Sequence, residues 1–295
     1  MVESYRRLRN TARFLISNLY DFDPAMDVVP LTDLDELDRW ILHRTQTVLS
    51  RCREAYEKYE FHIVYHALNN FCSVDLSALY LDIVKDRLYC EAPKSTKRRA
   101  AQTTLYRILD MLVHLMAPIL SFTAEEIWSY MPDKKHQPGS VFLSQIPEPQ
   151  ANLMDQELAD KWDRLFKERG EVLKALEEAR NSGIIGHSLD AKIIFSNGHG
   201  QQDSLLLDLI RSDKNRTQDV LIVSQASVLS DSGTVPNEPI CSYDAGLLNC
   251  RVAVSKADGG KCQRCWKYDV EVGKDPAYAD VCPRCAGVLK VGVPA

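Results

Sequence analysis

Near the end of the chain, Cys262-Gln-Arg-Cys265 and Cys282-Pro-Arg-Cys285 repeat one C-x2-C unit, with 16 residues between the pairs. Two residues between cysteines let a tight turn aim both sulfurs at one point. Two such turns brought together supply a tetrahedron of soft thiolates suited to Zn2+. The spacing predicts a four-cysteine zinc ribbon or knuckle ligated by Cys262, Cys265, Cys282 and Cys285. Four protein ligands leave no position for water, so one structural Zn2+ is expected and a catalytic one is not. Between 257 and 295 the apolar side chains are few, chiefly Trp266, Tyr268, Val270, Tyr278, Val281, Val288 and Leu289. Metal binding, on the order of 10–16 kcal/mol for structural zinc, supplies the stability that so little burial lacks. A redox dithiol is the competing reading of either pair alone.

The other five of the nine cysteines scatter through periodic apolar segments, a pattern of a reducing compartment and not of a disulfide framework. A cytoplasmic location is the expectation. No apolar run approaches the ~20 residues that span a bilayer, and residues 1–30 lack the layout of a signal peptide. With 36 basic against 41 acidic residues the net charge is -5, so no global positive field draws the chain to nucleic acid or anionic lipid. Any nucleic-acid contact must be local.

From Ser4 to about Tyr130 apolar residues recur at helical spacing, which predicts a mainly α bundle over 1–150. The first helix is expected over Tyr5–Tyr20, with Leu8, Ala12, Leu15, Ile16 and Leu19 inward. The second is expected from Thr32, paired with Asp35 in a capping box, to Tyr59, with Leu37, Trp40, Ile41, Val48, Ala55 and Tyr59 inward. A third, from Phe61 to about Tyr89, places Val64, Leu68, Phe71, Ala78, Leu81, Val84 and Leu88 at three-and-four spacing. The fourth starts with Ser95 as cap and is interrupted by Pro118. A short fifth is expected from Thr123, with Thr123 and Glu126 as a capping box and Ile127 and Trp128 inward. Residues 131–150 hold four prolines and read as a surface connection. A second region, 151–256, opens with a long charged helix over Asp155–Asn181, carrying Leu158, Trp162, Leu165, Phe166, Val172, Leu173 and Leu176 inward and ending at Gly183. A small α+β junction follows, with strands at Ala191–Phe195, Asp219–Val223 and Gly246–Val254, a helix at Asp203–Ser212 and a mobile loop at Ser230–Pro239. The third region, 257–295, is the zinc module.

Around the cysteines sit Lys256, Lys261, Arg264, Lys267, Arg284 and Lys290, with Trp266 directly after the second ligand. Cations for phosphates and a ring for stacking are what a nucleic-acid contact needs. Between 256 and 290, however, seven Lys and Arg face five Asp and Glu, and Zn2+ with four thiolates adds -2, leaving the module neutral. Composition alone leaves Trp266 open between a contact and a packing residue of the knuckle. His62 and His66, four apart on a helix, have ligand spacing but no visible third ligand. Arg6, Arg7, Arg9 and Arg13 gather on the first helix, and Lys94, Lys97, Arg98 and Arg99 before the fourth; such runs are solvated faces or phosphate contacts. No phosphate-cradling glycine loop, nucleophile elbow or His-Glu-x-x-His pair occurs.

Several strings resemble the C-terminal half of bacterial-type isoleucyl-tRNA synthetases over nearly the whole chain. YRRLRNTARFL at 5–15 is similar to the opening helix of the class I synthetase anticodon-binding bundle, and LDELDRWIL at 34–42, YLDIVKDRLY at 80–89 and MAPILSFTAEEIW at 116–128 to its later helices. LEEAR at 176–180, Gly186 and SLDA at 188–191 resemble the junction beyond the bundle, and Cys262–Tyr268 with Cys282–Cys285 the family's terminal zinc module. The resemblance implies that bundle and zinc module grip the anticodon arm of isoleucine tRNA for the catalytic and editing domains of a parent chain. It implies Arg264, Trp266, Arg9 and Arg13 as tRNA contacts. Neither the His-x-Gly-His nor the Lys-Met-Ser-Lys-Ser ATP motif occurs in these 295 residues, so ATP enters only through a catalytic domain absent here, and the chain alone is expected to be inactive. A protein-interaction bundle and a DNA-binding module with a structural zinc knuckle are the rival readings.

Overall fold

The computed structural model describes residues 2–132, 137–196, 204–229, 241–248 and 250–292. The chain forms two compact units, Met1–Ala159 and Asp160–Ala295, and residues 257–295 belong to the second. Among the described residues no helix is long and apolar enough to cross a membrane.

The first unit is a helix bundle. Helix α1 (Val2–Ser17) buries Leu8, Ala12 and Leu15 on one stripe, and the Asn18 amide donates back to the Phe14 carbonyl, ending it before Tyr20. Helix α2 spans Glu36–Glu57. Thr32 does not cap it: Pro30 leads into a separate 3-10 turn, Leu31–Asp33, and the Thr32 hydroxyl turns to Asp33. Asp35 is the cap, its carboxylate accepting from the Leu37 N–H at 2.8 Å. Tyr59 is 79% exposed at φ +58, because it is the residue that unwinds the helix end, and Val48 is only half-buried.

The expected third helix is continuous but not uniform. Between α3 (Phe61–Asn70) and α4 (Leu81–Cys90) the stretch Phe71–Tyr80 is wound as a π-helix. The wider turn moves Leu76 and Tyr80 inward and leaves Ala78 exposed, against the three-and-four reading. This places Tyr80 on Asp38, which is fully buried: the Tyr80 hydroxyl donates to it at 2.7 Å and Arg87 gives it two hydrogen bonds of 2.8 Å. Helix α5 (Thr96–Met116) starts on the Ser95 cap and stops just before Ala117-Pro118. Helix α6 spans Ser121–Ser129 and buries Ile127 and Trp128. Thr123 lies inside α6, so no capping box forms there; its hydroxyl meets the Tyr5 hydroxyl and Glu126 turns to Arg9. The proline-rich connection is tied down by the Arg53 guanidinium, which donates to the carbonyls of Ile146 and Pro147.

Helix α7 (Gln156–Asn181) runs into the second unit, burying Trp162, Leu165, Val172 and Leu176, while Leu173 is exposed and Phe166 half-buried. Gly183, at φ +71, ends this helical segment as expected. A four-stranded sheet has the order β2-β1-β4-β3, with β1 at Ala191–Ser196, β2 at Gln225–Val228, β3 at Cys241–Ala245 and β4 at Cys250–Lys256. Strand β1 pairs parallel to β2 and antiparallel to β4, and β3 pairs antiparallel to β4. Helices α8 (Leu205–Ser212) and α9 (Lys214–Leu221) connect β1 to β2, and Leu206, Ile210 and Leu221 join Val172, Leu176, Ile193, Phe195, Val252 and Val254 in one core.

The strand expected at Asp219–Val223 is corrected. Asp213 accepts from the Arg216 N–H at 3.0 Å and starts α9, which runs to Leu221 before Ile222 turns left-handed at φ +57. A cap and an amphipathic face thus override the β preference of Val220 to Val223. Gly246–Leu248 is a 3-10 turn, not the opening of a strand. Asp203 and the loop expected at Ser230–Pro239 lie outside the described residues.

Candidate metal centre and nucleic-acid interface

The cysteine module begins with a two-stranded hairpin, β5 (Gly260–Lys261) against β6 (Tyr268–Asp269). Gly259 sits at φ +91, where a Cβ would fall 2.4 Å from the Asp269 backbone, so only glycine fits. Within the hairpin the Cys262 N–H donates to the Lys267 carbonyl and the Trp266 N–H to the Cys262 carbonyl, both at 2.9 Å. These bonds close the first cysteine turn. Cys282 precedes α10 (Pro283–Gly292), whose first residue is a proline already set at a helical φ, and Cys285 projects from its first turn.

The four sulfurs of Cys262, Cys265, Cys282 and Cys285 lie within 4.8 Å of one another, all buried and none in a disulfide. Cys265 Sγ and Cys282 Sγ are 3.9 Å apart. A zinc tetrahedron with Zn–S of about 2.3 Å has sulfur edges of about 3.8 Å, so the donor set fits the ion in kind, number and spacing. Hydrogen bonds from the Cys265 and Cys285 thiols lower Cys282 to about 3, which favours the thiolate that a metal requires. Hydrogen bonds with Cys265 and Cys282 push Cys285 up, while Arg264 opposes that by donating towards the Cys285 sulfur at 3.7 Å. When bound, zinc would cross-link the hairpin to α10 and supply the stability that this small module lacks. Among the described residues this is the one cluster of three or more metal-ligating side chains; His62 and His66 are exposed and take no part in one.

Trp266 is 60% exposed, so it does not pack the core of the knuckle. Its backbone is left-handed, φ +64, an uncommon conformation for a bulky residue that here closes the first cysteine turn, as Tyr59 and Ile222 close helix ends. The Lys261 ammonium lies 5.9 Å from the Trp266 ring centroid and 6.0 Å from that of Tyr268. Three other cations near the cysteines are engaged: Lys267 pairs with Asp219 at 2.5 Å, Lys290 pairs with Asp275, and Arg264 faces the cysteine sulfurs, while Lys256 and Arg284 are exposed.

The bundle arginines divide likewise. Arg9 is held by Glu126, Arg6 lies 3.5 Å from Glu3, and Arg7 and Arg13 are exposed on α1. Of the second basic run, Lys94 and Lys97 are exposed. Arg98 and Arg99 are buried and clamp Asp21, with Gln102 closing the network. That half of the run is architecture.

Sequence reasoning missed Asp219 and Ser224. The Ser224 hydroxyl accepts from the Tyr268 N–H at 2.7 Å and donates to the Leu189 carbonyl at 2.5 Å. These residues lie more than 40 positions from their partners in the zinc hairpin, and no local pattern announces such a contact.

The family model described as "Anticodon-binding domain of tRNA ligase" matches residues 38–195. One described as "Zinc finger found in FPG and IleRS" matches residues 259–287. The chain is similar to the isoleucine–tRNA ligases of Carboxydothermus hydrogenoformans, 47% identical over 287 residues, and Desulforamulus reducens, 46% over 291. That of Geobacter sulfurreducens is 43% identical over 291 residues. These matches cover 97–98% of this chain and 30% of each relative, so the chain spans under a third of the length of the curated relatives it matches.

Proposed function

The chain belongs to the family of anticodon-binding domains of tRNA ligases, and from that premise we propose that it is the tRNA-gripping C-terminal region of an isoleucine–tRNA ligase. The observation that carries the reading is Trp266, an exposed ring beside the Lys261 ammonium on a metal-braced knuckle. Unpaired anticodon-loop bases can be splayed out, stacked on such a ring and held by cations at their phosphates. Trp266 supplies the stacking face. Arg264, partly directed to the cysteines, Arg13 on the exposed face of α1, and Arg9 once released from Glu126 supply phosphate contacts. Residues 257–295 act as the zinc module, 151–256 as the junction and 1–150 as the anticodon-binding bundle.

The chemistry lies elsewhere in the parent. Its catalytic domain attaches isoleucine using ATP and its editing domain checks the product, in the cytoplasm, while this region fixes the tRNA so that the acceptor end reaches them. That is an orientation effect. The chain alone binds isoleucine tRNA and performs no aminoacylation. The anticodon-binding match over residues 38–195 disfavours the protein-interaction and DNA-module readings. Nuclease footprinting of isoleucine tRNA with the zinc-loaded chain tests the proposal: protection centred on the anticodon loop is expected, and protection confined to the acceptor stem, or none, contradicts it.

A further inference from the structure

We propose that Asp219 and Ser224, on the sheet-forming part of the second unit, are positioning residues that mount the zinc hairpin and fix the direction of the Trp266 ring. The proposal rests on the reading of Trp266 as a tRNA contact. Zinc ties the four cysteines to one another, but it does not by itself orient the knuckle on the sheet. Trp266 follows the ligand Cys265 and precedes Lys267, and its strained φ of +64 persists only where both flanks are held.

The metal site holds the first flank, and two contacts hold the second. Lys267, only 18% exposed, donates to Asp219 at the end of α9, and the next residue, Tyr268, donates its N–H to Ser224. Ser224 passes that restraint to the Leu189 carbonyl, just before β1. Gln225 and Asp258 exchange two hydrogen bonds of 3.0 Å, and Lys192 reaches Asp258 at 2.7 Å, steadying the chain where it enters the hairpin. A part of the fold with no expected tRNA contact therefore sets the geometry of one. Preorganising a ring in this way lowers the ordering cost of binding.

The sign of the Asp219→Asn effect separates positioning from electrostatics. Removing an acidic charge and freeing Lys267 would strengthen tRNA binding if only charge mattered; the mount requires weakening. On the zinc-loaded full chain, Asp219→Asn and Ser224→Ala are expected to weaken isoleucine tRNA binding roughly ten-fold, a change of about one decade in Kd. Ser224→Thr, which keeps the hydroxyl, restores it. In a Trp266→Ala background neither change costs further affinity, and zinc content by elemental analysis stays at one per chain. Trp40, Trp128 and Trp162 are all buried, so iodide quenching of fluorescence reports chiefly on Trp266 and should change in both variants before any tRNA is added. Unchanged quenching, tighter binding by Asp219→Asn, or full additivity with Trp266→Ala overturns the mount. An unsubstituted zinc-loaded chain that fails to bind tRNA defeats the anticodon reading separately, and the quenching result then decides the mount alone.

Discussion

Arg9 on α1 donates two hydrogen bonds, of 2.5 and 2.9 Å, to the Glu126 carboxylate on α6. That hydrogen bond and the opposite charge hold the Glu126 carboxyl below its usual range and the Arg9 guanidinium firmly protonated. The pair is exposed, so its worth to stability is small. Its consequence lies in binding, because a paired arginine offers less to a phosphate.

Glu126→Gln should therefore strengthen tRNA binding by roughly two- to three-fold at low salt and steepen its salt dependence, as one more cation becomes available. Fluorescence anisotropy across a salt series checks this. Equal affinities and slopes would remove Arg9 from the contact surface.

The buried Asp38 gives the opposite kind of prediction. Its carboxylate satisfies Arg87 and Tyr80 together inside the bundle. Asp38→Ala leaves a guanidinium and a phenol without their shared partner, and the expected cost is about 3–5 kcal/mol. Urea unfolding followed by helical circular dichroism measures it; a loss under about 1 kcal/mol would mean water replaces the carboxylate.

Zinc removal should separate the tail from the bundle. With chelator, or in Cys262→Ser, residues 257–295 lose their order while bundle helicity stays nearly intact, read by zinc analysis alongside circular dichroism. Zinc is held by thiolates, so protons compete with the metal at all four cysteines as pH falls. Acid should release zinc and tail order together. Zinc retained by Cys262→Ser, or a bundle that melts with the tail, contradicts this.

Gly259→Ala tests the hairpin geometry. At φ +91 and with its Cβ position 2.4 Å from the Asp269 backbone, alanine cannot enter without moving β6 away from β5. The variant should bind zinc more weakly, seen as faster transfer to a chromogenic chelator. An unchanged rate would show that the hairpin tolerates the shift.

The sequence made the bundle legible because its apolar spacing is local, and it made the metal site legible because two C-x2-C turns specify a ligand set without long-range information. Ser95 and Pro118 announced helix ends through capping and steric rules that act within one turn. The errors share a cause. Thr32 and Thr123 match capping boxes, but Pro30 in one case and the earlier start of α6 in the other move the cap elsewhere. Ala78 faces water because the winding widens between Phe71 and Tyr80, a change that the packing of Tyr80 on Asp38 accompanies. Val220 to Val223 reads as a strand until the Asp213 cap is known. The basic run Lys94 to Arg99 could not be divided into surface and interior without its acidic partner Asp21, 77 residues away from Arg98.

The most direct measurement is competition binding: zinc-loaded chain with labelled isoleucine tRNA, challenged by valine tRNA and duplex DNA across a salt series, with Trp266→Ala alongside. Isoleucine tRNA should compete best, and Trp266→Ala should erase most of that preference, a loss of about 1–3 kcal/mol for one stacked base. Equal competition by all three nucleic acids, or full affinity in Trp266→Ala, would contradict the anticodon reading.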